Sequence, residues 1–246
     1  MFGKNPIRKK DRGDGSTLRV QSIFPTIQGE GPFSGVPATF LRLAGCNLAC
    51  TFCDTDFESN YESGLMQMEE VAAQVHNHKN KLVVLTGGEP LLQNIVPLCF
   101  ALTLHGHHVQ IETAGTIWPD GLEDEVDETA NLADALVSVV VSPKTPKLHH
   151  QPYTLACAWK YIITGLDAVS NEDGLPIKST QKPEQGSVLC RPPLALLRTR
   201  PDLVFLQPCD FGIPELNKNA QEACVTIARK YGYRISLQTH KLLGVE

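Results

Sequence analysis

The chain alternates between short two-residue-period segments, wholly apolar runs and a few stretches of helical period. Leu18 to Phe24 (LRVQSIF) alternates as a half-buried strand does, and Pro37 to Leu43 (PATFLRL) reads as a second strand. Between them, Pro25 to Pro32 (PTIQGEGP) has the glycines and prolines of a loop. From Gln67 to His78, Met68, Val71, Ala72 and Val75 fall on one helical face. Lys81 to Thr86 (KLVVLT) is apolar enough for a strand buried on both faces. Leu91 to Leu104 predicts a buried helix, and His107 to Glu112 alternates as a strand. Leu136 to Val141, Trp159 to Thr164, Leu203 to Gln207 and Tyr233 to Gln238 are further strands. A long helix over Pro214 to Tyr231 shows its face through Leu216, Ala220, Ala223, Cys224 and Ile227.

This order predicts an α/β fold, an incomplete (β/α) barrel in which three or so helices cover about six parallel strands. A flavodoxin-like doubly wound sheet is the alternative. Residues 17–246 read as a single domain, and residues 1–16, polar and basic, as a flexible tail. The acidic run Asp120 to Glu128 reads as solvated, and Asn171 to Gly186 as an exposed excursion. His105, His107 and His108 read as surface residues rather than metal ligands.

Composition narrows the class. At 246 residues, 42% hydrophobic and 20% charged, the sequence is that of an ordinary globular protein. A formal charge of −5 argues against a nucleic-acid surface. No run approaches the ~20 apolar residues of a membrane span, and the basic start has no apolar stretch of a secretory signal after it. Of eight cysteines, Cys99, Cys157, Cys190, Cys209 and Cys224 are scattered, as reduced thiols of a cytoplasmic protein are, and are expected mostly in the core.

The other three cysteines, Cys46, Cys50 and Cys53, sit in one loop with Cys-x3-Cys-x2-Cys spacing, delivered by the Pro37 to Leu43 strand. Thiolates this close converge on one soft metal centre. A closed structural zinc site takes four ligands, whereas three thiolates on a 4Fe–4S cluster leave one iron open. The spacing alone also admits zinc completed by a distant residue, or a redox pair of Cys50 and Cys53. Gly87-Gly88-Glu89-Pro90 follows a buried strand, where two glycines allow main chain to approach a ligand. Ser142-Pro143-Lys144 and Pro208-Cys209-Asp210 likewise follow strands, at the end where α/β sheets bind ligands.

The cysteine spacing with Phe52 before the third cysteine, joined to the GGEP segment, resembles the radical S-adenosylmethionine (SAM) superfamily. That resemblance implies a 4Fe–4S cluster whose open iron binds SAM and whose electron breaks the C5′–S bond to give a 5′-deoxyadenosyl radical. The flanks narrow it. Thr26-Ile27-Gln28-Gly29-Glu30-Gly31, Cys53-Asp54-Thr55-Asp56-Phe57, Thr86-Gly87-Gly88-Glu89-Pro90, Ser142-Pro143-Lys144 and Gln238-Thr239-His240-Lys241 together resemble the 7-carboxy-7-deazaguanine synthase family, from about Leu18 to Glu246. The family's reaction takes 6-carboxy-5,6,7,8-tetrahydropterin to 7-carboxy-7-deazaguanine with loss of ammonia, regenerating SAM and requiring Mg²⁺. The resemblance implies that Cys46, Cys50 and Cys53 hold the cluster. Phe52, Cys53, Asp54, Gly88, Ser142, Pro143, Lys144 and Gln207 to Asp210 (with Pro208 and Cys209) correspond to SAM contacts. Ile27, Gln28, Gly29, Glu30, Thr86 and the chain-terminal Glu246 correspond to pterin contacts, Arg42 to the partner of its carboxylate, and Thr55 to a Mg²⁺ ligand. An acidic side chain at position 246 departs from the family. A flavodoxin-type electron donor and a homodimer are implied partners, with no direct nucleic-acid contact. Another radical SAM enzyme, such as a glycyl-radical-enzyme activase, and a non-catalytic zinc-binding module are the competing readings.

Overall fold

A computed structural model describes residues 6–53, 55–127, 135–181 and 188–245. In chain order the elements are β1 (Thr17–Ile27), β2 (Pro37–Leu43), β3 (Leu65–Gln67), α1 (Met68–Asn77), β4 (Leu82–Gly87), α2 (Val96–Leu104), β5 (His108–Thr113), β6 (Val137–Val141), α3 (Pro152–Leu155), β7 (Ala156–Ile163), α4 (Leu194–Thr199), β8 (Val204–Pro208), α5 (Pro214–Tyr231), β9 (Arg234–Ile235) and α6 (Thr239–Leu243). The strands make one open sheet in the order β3-β1-β2-β4-β5-β6-β7-β8-β9. From β2 to β9 the pairing is parallel throughout, while β1 is antiparallel to both β2 and β3. The parallel set is therefore β2 and β4 to β9, one strand more than expected, and its last member has two residues.

Strand period sets what each face carries. Leu41, Val83, Leu85, Val109, Ile111, Val139, Val141, Trp159, Tyr161 and Leu206 point to one face and form the main core. Helices close that face: α1 buries Val71 and Val75, and α5 buries Ala220, Ala223, Cys224 and Ile227. The alternate positions point the other way. The register pairs Arg42 with Thr86, Val84 with Gln110, Glu112 with Val140, and Ile162 with Gln207. That second face is only thinly apolar and carries the chemistry.

Several expectations are corrected. Residues 6–16, expected to form a flexible tail, are bonded to the rest of the chain: Arg8 N–H donates to Cys46 O at 2.7 Å, Asp11 N–H to Leu92 O at 2.8 Å, and Lys10 Nζ to Trp118 O at 2.9 Å. The helix expected from Leu91 begins only at Val96, because Pro90–Leu92 forms a tight 3-10 turn and the Asn94 carboxamide accepts from Val96 N–H. His107 is buried, not a surface residue; it is held by Asn80 O at 2.9 Å and by the His76 ring at 3.2 Å. Of the excursion expected at Asn171 to Gly186, residues 171–181 are exposed only in part, since Leu175 is buried in the core and Arg191 pairs with Asp173, while residues 182–186 lie outside the described residues. Within the acidic run Leu122 and Val126 are buried, while Glu128 lies outside the described residues. Tyr233 to Gln238 keeps only Arg234–Ile235 as strand; at Ser236 the hydroxyl accepts from Gly31 N–H at 2.8 Å, tying this end to the loop after β1. No helix among the described residues is long and apolar enough to cross a membrane.

Candidate active site

One cavity of about 350 Å³ opens on the polar face of the sheet, at the C-terminal ends of its parallel strands. That volume is within the range of sites that enclose a small molecule. The loop after β2 forms one wall, bringing Cys46, Cys50, Phe52, Cys53 and Thr55 to the cavity. Its base rests on the glycines that end β4. A side chain at Gly88 would meet Gly45 O at 2.2 Å and the Cys46 Cβ at 2.7 Å, so this turn requires glycine. Gly45 itself, with φ of +87°, lies under Leu92 and Tyr61. Glu89 is a strut and faces away from solvent: its carboxylate accepts from Thr113 Oγ1 at 2.6 Å, Ala114 N–H at 2.8 Å and Leu91 N–H at 3.1 Å. Burial pushes its pKa up.

The thiols suit an iron–sulfur cluster. They line one cavity, and their donor type is the soft one such a cluster needs. Burial, with the Glu89 carboxylate next in effect, pushes the Cys46 thiol up, so the positive charge of a bound metal is what makes a thiolate there. Among the described residues no three His, Cys, Asp or Glu side chains gather closely enough for a single ion.

A buried ionic network lines the same cavity. Lys160, on β7, is 6% exposed and ion-paired to Glu30, with Glu112 at 4.0 Å. The other oxygen of Glu30 accepts from Gln238 Nε2 at 2.9 Å and Gln207 Nε2 at 3.1 Å. Burial opposes the Glu30 charge, but Lys160, the Gln238 hydrogen bond and the charge of His240 outweigh it and hold the carboxyl well below its ordinary value. Glu112 accepts from Thr86 Oγ1 at 3.2 Å, and from Gln28 Nε2 and Gln110 Nε2, each at 3.1 Å. Gln207 Oε1 is buried with no partner, as a group awaiting a ligand would be. Lys144 Nζ reaches the Ser142 hydroxyl and carbonyl, and burial pushes its pKa down.

Most residues singled out from sequence meet in this cavity. Ile27, Gln28, Glu30, Arg42 and Thr86 share its wall with Gly88, Ser142 and Lys144, and with Gln207 to Asp210. Gly29 and Pro143 are not in the wall. Gly29 is pressed instead against His240, whose ring a Cβ would meet at 2.0 Å. Asp54 and Glu246 lie outside the described residues. Sequence reasoning missed Lys160 and Glu112. The signal for Lys160 was a lone ammonium inside the apolar run WKYIIT; for Glu112 it was an acid at the end of a strand that otherwise reads as filler. His240 and Lys241, used only as a motif, line the mouth.

Comparison with known proteins agrees with this geometry. The radical SAM superfamily signature matches residues 41–176. The 7-carboxy-7-deazaguanine synthase of Rhodospirillum rubrum is 42% identical, with both chains covered in full. That of Rickettsia prowazekii is 39% identical, covering all of this chain and 96% of its own. The crystal structure of QueE from Escherichia coli superposes with a TM-score of 0.62 at 26% identity, over 90% of this chain and 93% of that one. Membership of the superfamily brings with it a 4Fe–4S cluster and SAM. The cysteine loop, the sheet that presents it and similarity along the full length agree: the chain belongs to the 7-carboxy-7-deazaguanine synthase family of radical SAM enzymes.

Proposed function

We propose that this chain converts 6-carboxy-5,6,7,8-tetrahydropterin to 7-carboxy-7-deazaguanine and ammonia, on the route to queuosine and related 7-deazapurines. The observation that carries the reading is a juxtaposition: one cavity is lined both by the three thiols and by Glu30, Gln28 and Arg42. Cys46, Cys50 and Cys53 would hold a 4Fe–4S cluster, which would supply the electron for reductive cleavage of SAM, the radical source of the reaction. The protein binds and orients. Gly88 leaves main chain open to SAM; Ser142, Lys144 and Gln207 to Asp210 provide polar anchors, with Phe52 as apolar cover. Glu30 already accepts three hydrogen bonds, so one lone pair remains for a pterin N–H. The Gln28 carbonyl accepts from Gly35 N–H at 2.7 Å and has its second lone pair to offer. Arg42 pairs with the substrate carboxylate in a charge-assisted bond.

Thr55 in the cavity wall supplies a hard oxygen of the kind Mg²⁺ takes alongside water and substrate oxygens. Asp54, by the family's pattern, joins the SAM contacts, and Glu246 the pterin contacts. A homodimer is favoured by that pattern and by the prevalence of twofold symmetry, a flavodoxin-type donor supplies electrons, and the scattered free thiols favour the cytoplasm. The test is anaerobic incubation with SAM, reductant, Mg²⁺ and the pterin, followed by mass spectrometry. The expected product is 7-carboxy-7-deazaguanine with 5′-deoxyadenosine not accumulating in step. Cleavage of SAM with the pterin untouched would refute the substrate.

A further inference from the structure

The segment that closes residues 171–181 ends against the cysteine loop. Thr180 N–H and Ser179 Oγ donate to Lys144 O at 3.1 and 2.8 Å, and Thr180 O accepts from Thr51 N–H at 3.3 Å. The segment is thereby clamped between the end of β6 and the loop. Two of its side chains aim at one sulfur: Thr180 Oγ1 lies 3.2 Å and Gln181 Nε2 3.3 Å from Cys50 Sγ.

The orientation of the Gln181 amide follows from its other bonds. Its Oε1 accepts from Ala49 N–H at 3.0 Å, which turns the NH₂ group to the sulfur; its second N–H reaches Thr180 Oγ1 at 3.3 Å. The Thr180 hydroxyl has one proton and two acceptors in reach, Cys50 Sγ and Lys144 O, the latter at 3.3 Å. A charged acceptor makes the stronger bond, so a thiolate at Cys50 would accept the hydroxyl's hydrogen bond in preference to Lys144 O. Both donors come from a part of the chain remote in sequence from the cysteines, 130 and 131 residues from Cys50.

We propose that Thr180 and Gln181 are outer-shell donors to the Cys50 sulfur that set the reduction potential of the cluster. The inference rests on the reading of Cys46, Cys50 and Cys53 as cluster ligands. Hydrogen bonds to a cluster's sulfurs favour its more negative, reduced state and raise its potential. Thr180 and Gln181 are positioning residues in this sense: neither lines the cavity, and they act through Cys50.

The test compares wild type with Thr180→Val, Thr180→Ser and Gln181→Glu after anaerobic reconstitution. Each is titrated with dithionite and redox mediators without SAM, the reduced cluster is followed by electron paramagnetic resonance, and iron is counted. At equal iron content the Val and Glu variants titrate at more negative potential than wild type, while the Ser variant titrates with wild type. The Glu variant shifts further, because it keeps the acceptor for Ala49 but puts a negative charge where a donor stood. Equal potentials in all four at equal iron content overturn the inference. If the Val variant takes up no iron, the Ser variant decides: a full cluster at wild-type potential upholds the hydroxyl, and an equally empty one overturns it, since methyl packing is then what matters. A wild-type chain that takes up no iron refutes the cluster reading itself, a result distinct from these.

Discussion

At the scale of single residues, Lys160 separates chemistry from packing most clearly. Its stem crosses an apolar strand and its ammonium lies between two carboxylates in the cavity wall. Lys160→Met leaves Glu30 and Glu112 without their cation, and removing one partner of a buried pair costs about 3–5 kcal/mol. The expected result is a lower denaturant midpoint for the apo chain together with loss of pterin turnover; an unchanged midpoint would show that the network is not holding charge. Thr55→Val should lose the dependence of turnover on Mg²⁺ while SAM still binds, as read by activity across a Mg²⁺ titration and by SAM binding at equilibrium. Asp210 gives a pH prediction. Its hydrogen bond from Lys241, with those from Gly212 and Asn217, lowers its pKa from 3.8 to about 2. A depressed carboxyl contributes stability that is full above the unfolded value and lost as pH falls through the folded one. The stabilisation from the Asp210–Lys241 contact is therefore full above about pH 4 and is lost as pH falls toward 2. Carbon-13 titration of the Asp210 carboxyl should show its midpoint near 2, and a midpoint near 4 would mean the contact is not made in solution.

Elements explain which parts of the site were legible beforehand. Pro37–Leu43 and Pro214–Tyr231 came out with the bounds their periods predict, because each has one buried face and a proline at its start. The cysteine loop, the glycine pair and the strand-end segments were legible because their residue types have few other uses. What was hidden depended on tertiary partners. Nothing local marks His107 as buried, since its partners are Asn80 and His76. Nothing local ties residues 6–16 down, since the contacts are with Cys46, Leu92 and a ring: Arg8 pairs with Glu58 and stacks 3.8 Å over Tyr61. Arg8→Ala should loosen this strap, so that Cys46 of the apo chain, only 7% exposed, is alkylated faster than in wild type. At the other end α6 caps the mouth, with Lys241 bonded to Asp210 and Thr239 N–H to Gly29 O. Deleting Leu243 to Glu246 should raise KM for the pterin while SAM cleavage continues; an unchanged KM would remove the chain end from substrate binding.

Across the whole molecule, a single sheet divides the labour by parity. Odd positions of β4 to β7 go under the helices, and even positions, from Thr86 through Glu112, Val140 and Lys160 to Ile162, face the cavity, with Gln110 behind them on the same face. Fold class was readable from the sequence because apolar runs and helical stretches come in the order a parallel sheet needs. The direction of β1 was not, because an antiparallel strand and a parallel one share the same alternation. The same parity bears on how such a protein can be altered. Randomising only the inward even positions, Lys160, Glu112 and their ionic partners excepted, would sample new cargo shapes against an untouched hydrophobic floor, so a library drawn there should keep its melting behaviour while its choice of heterocycle drifts.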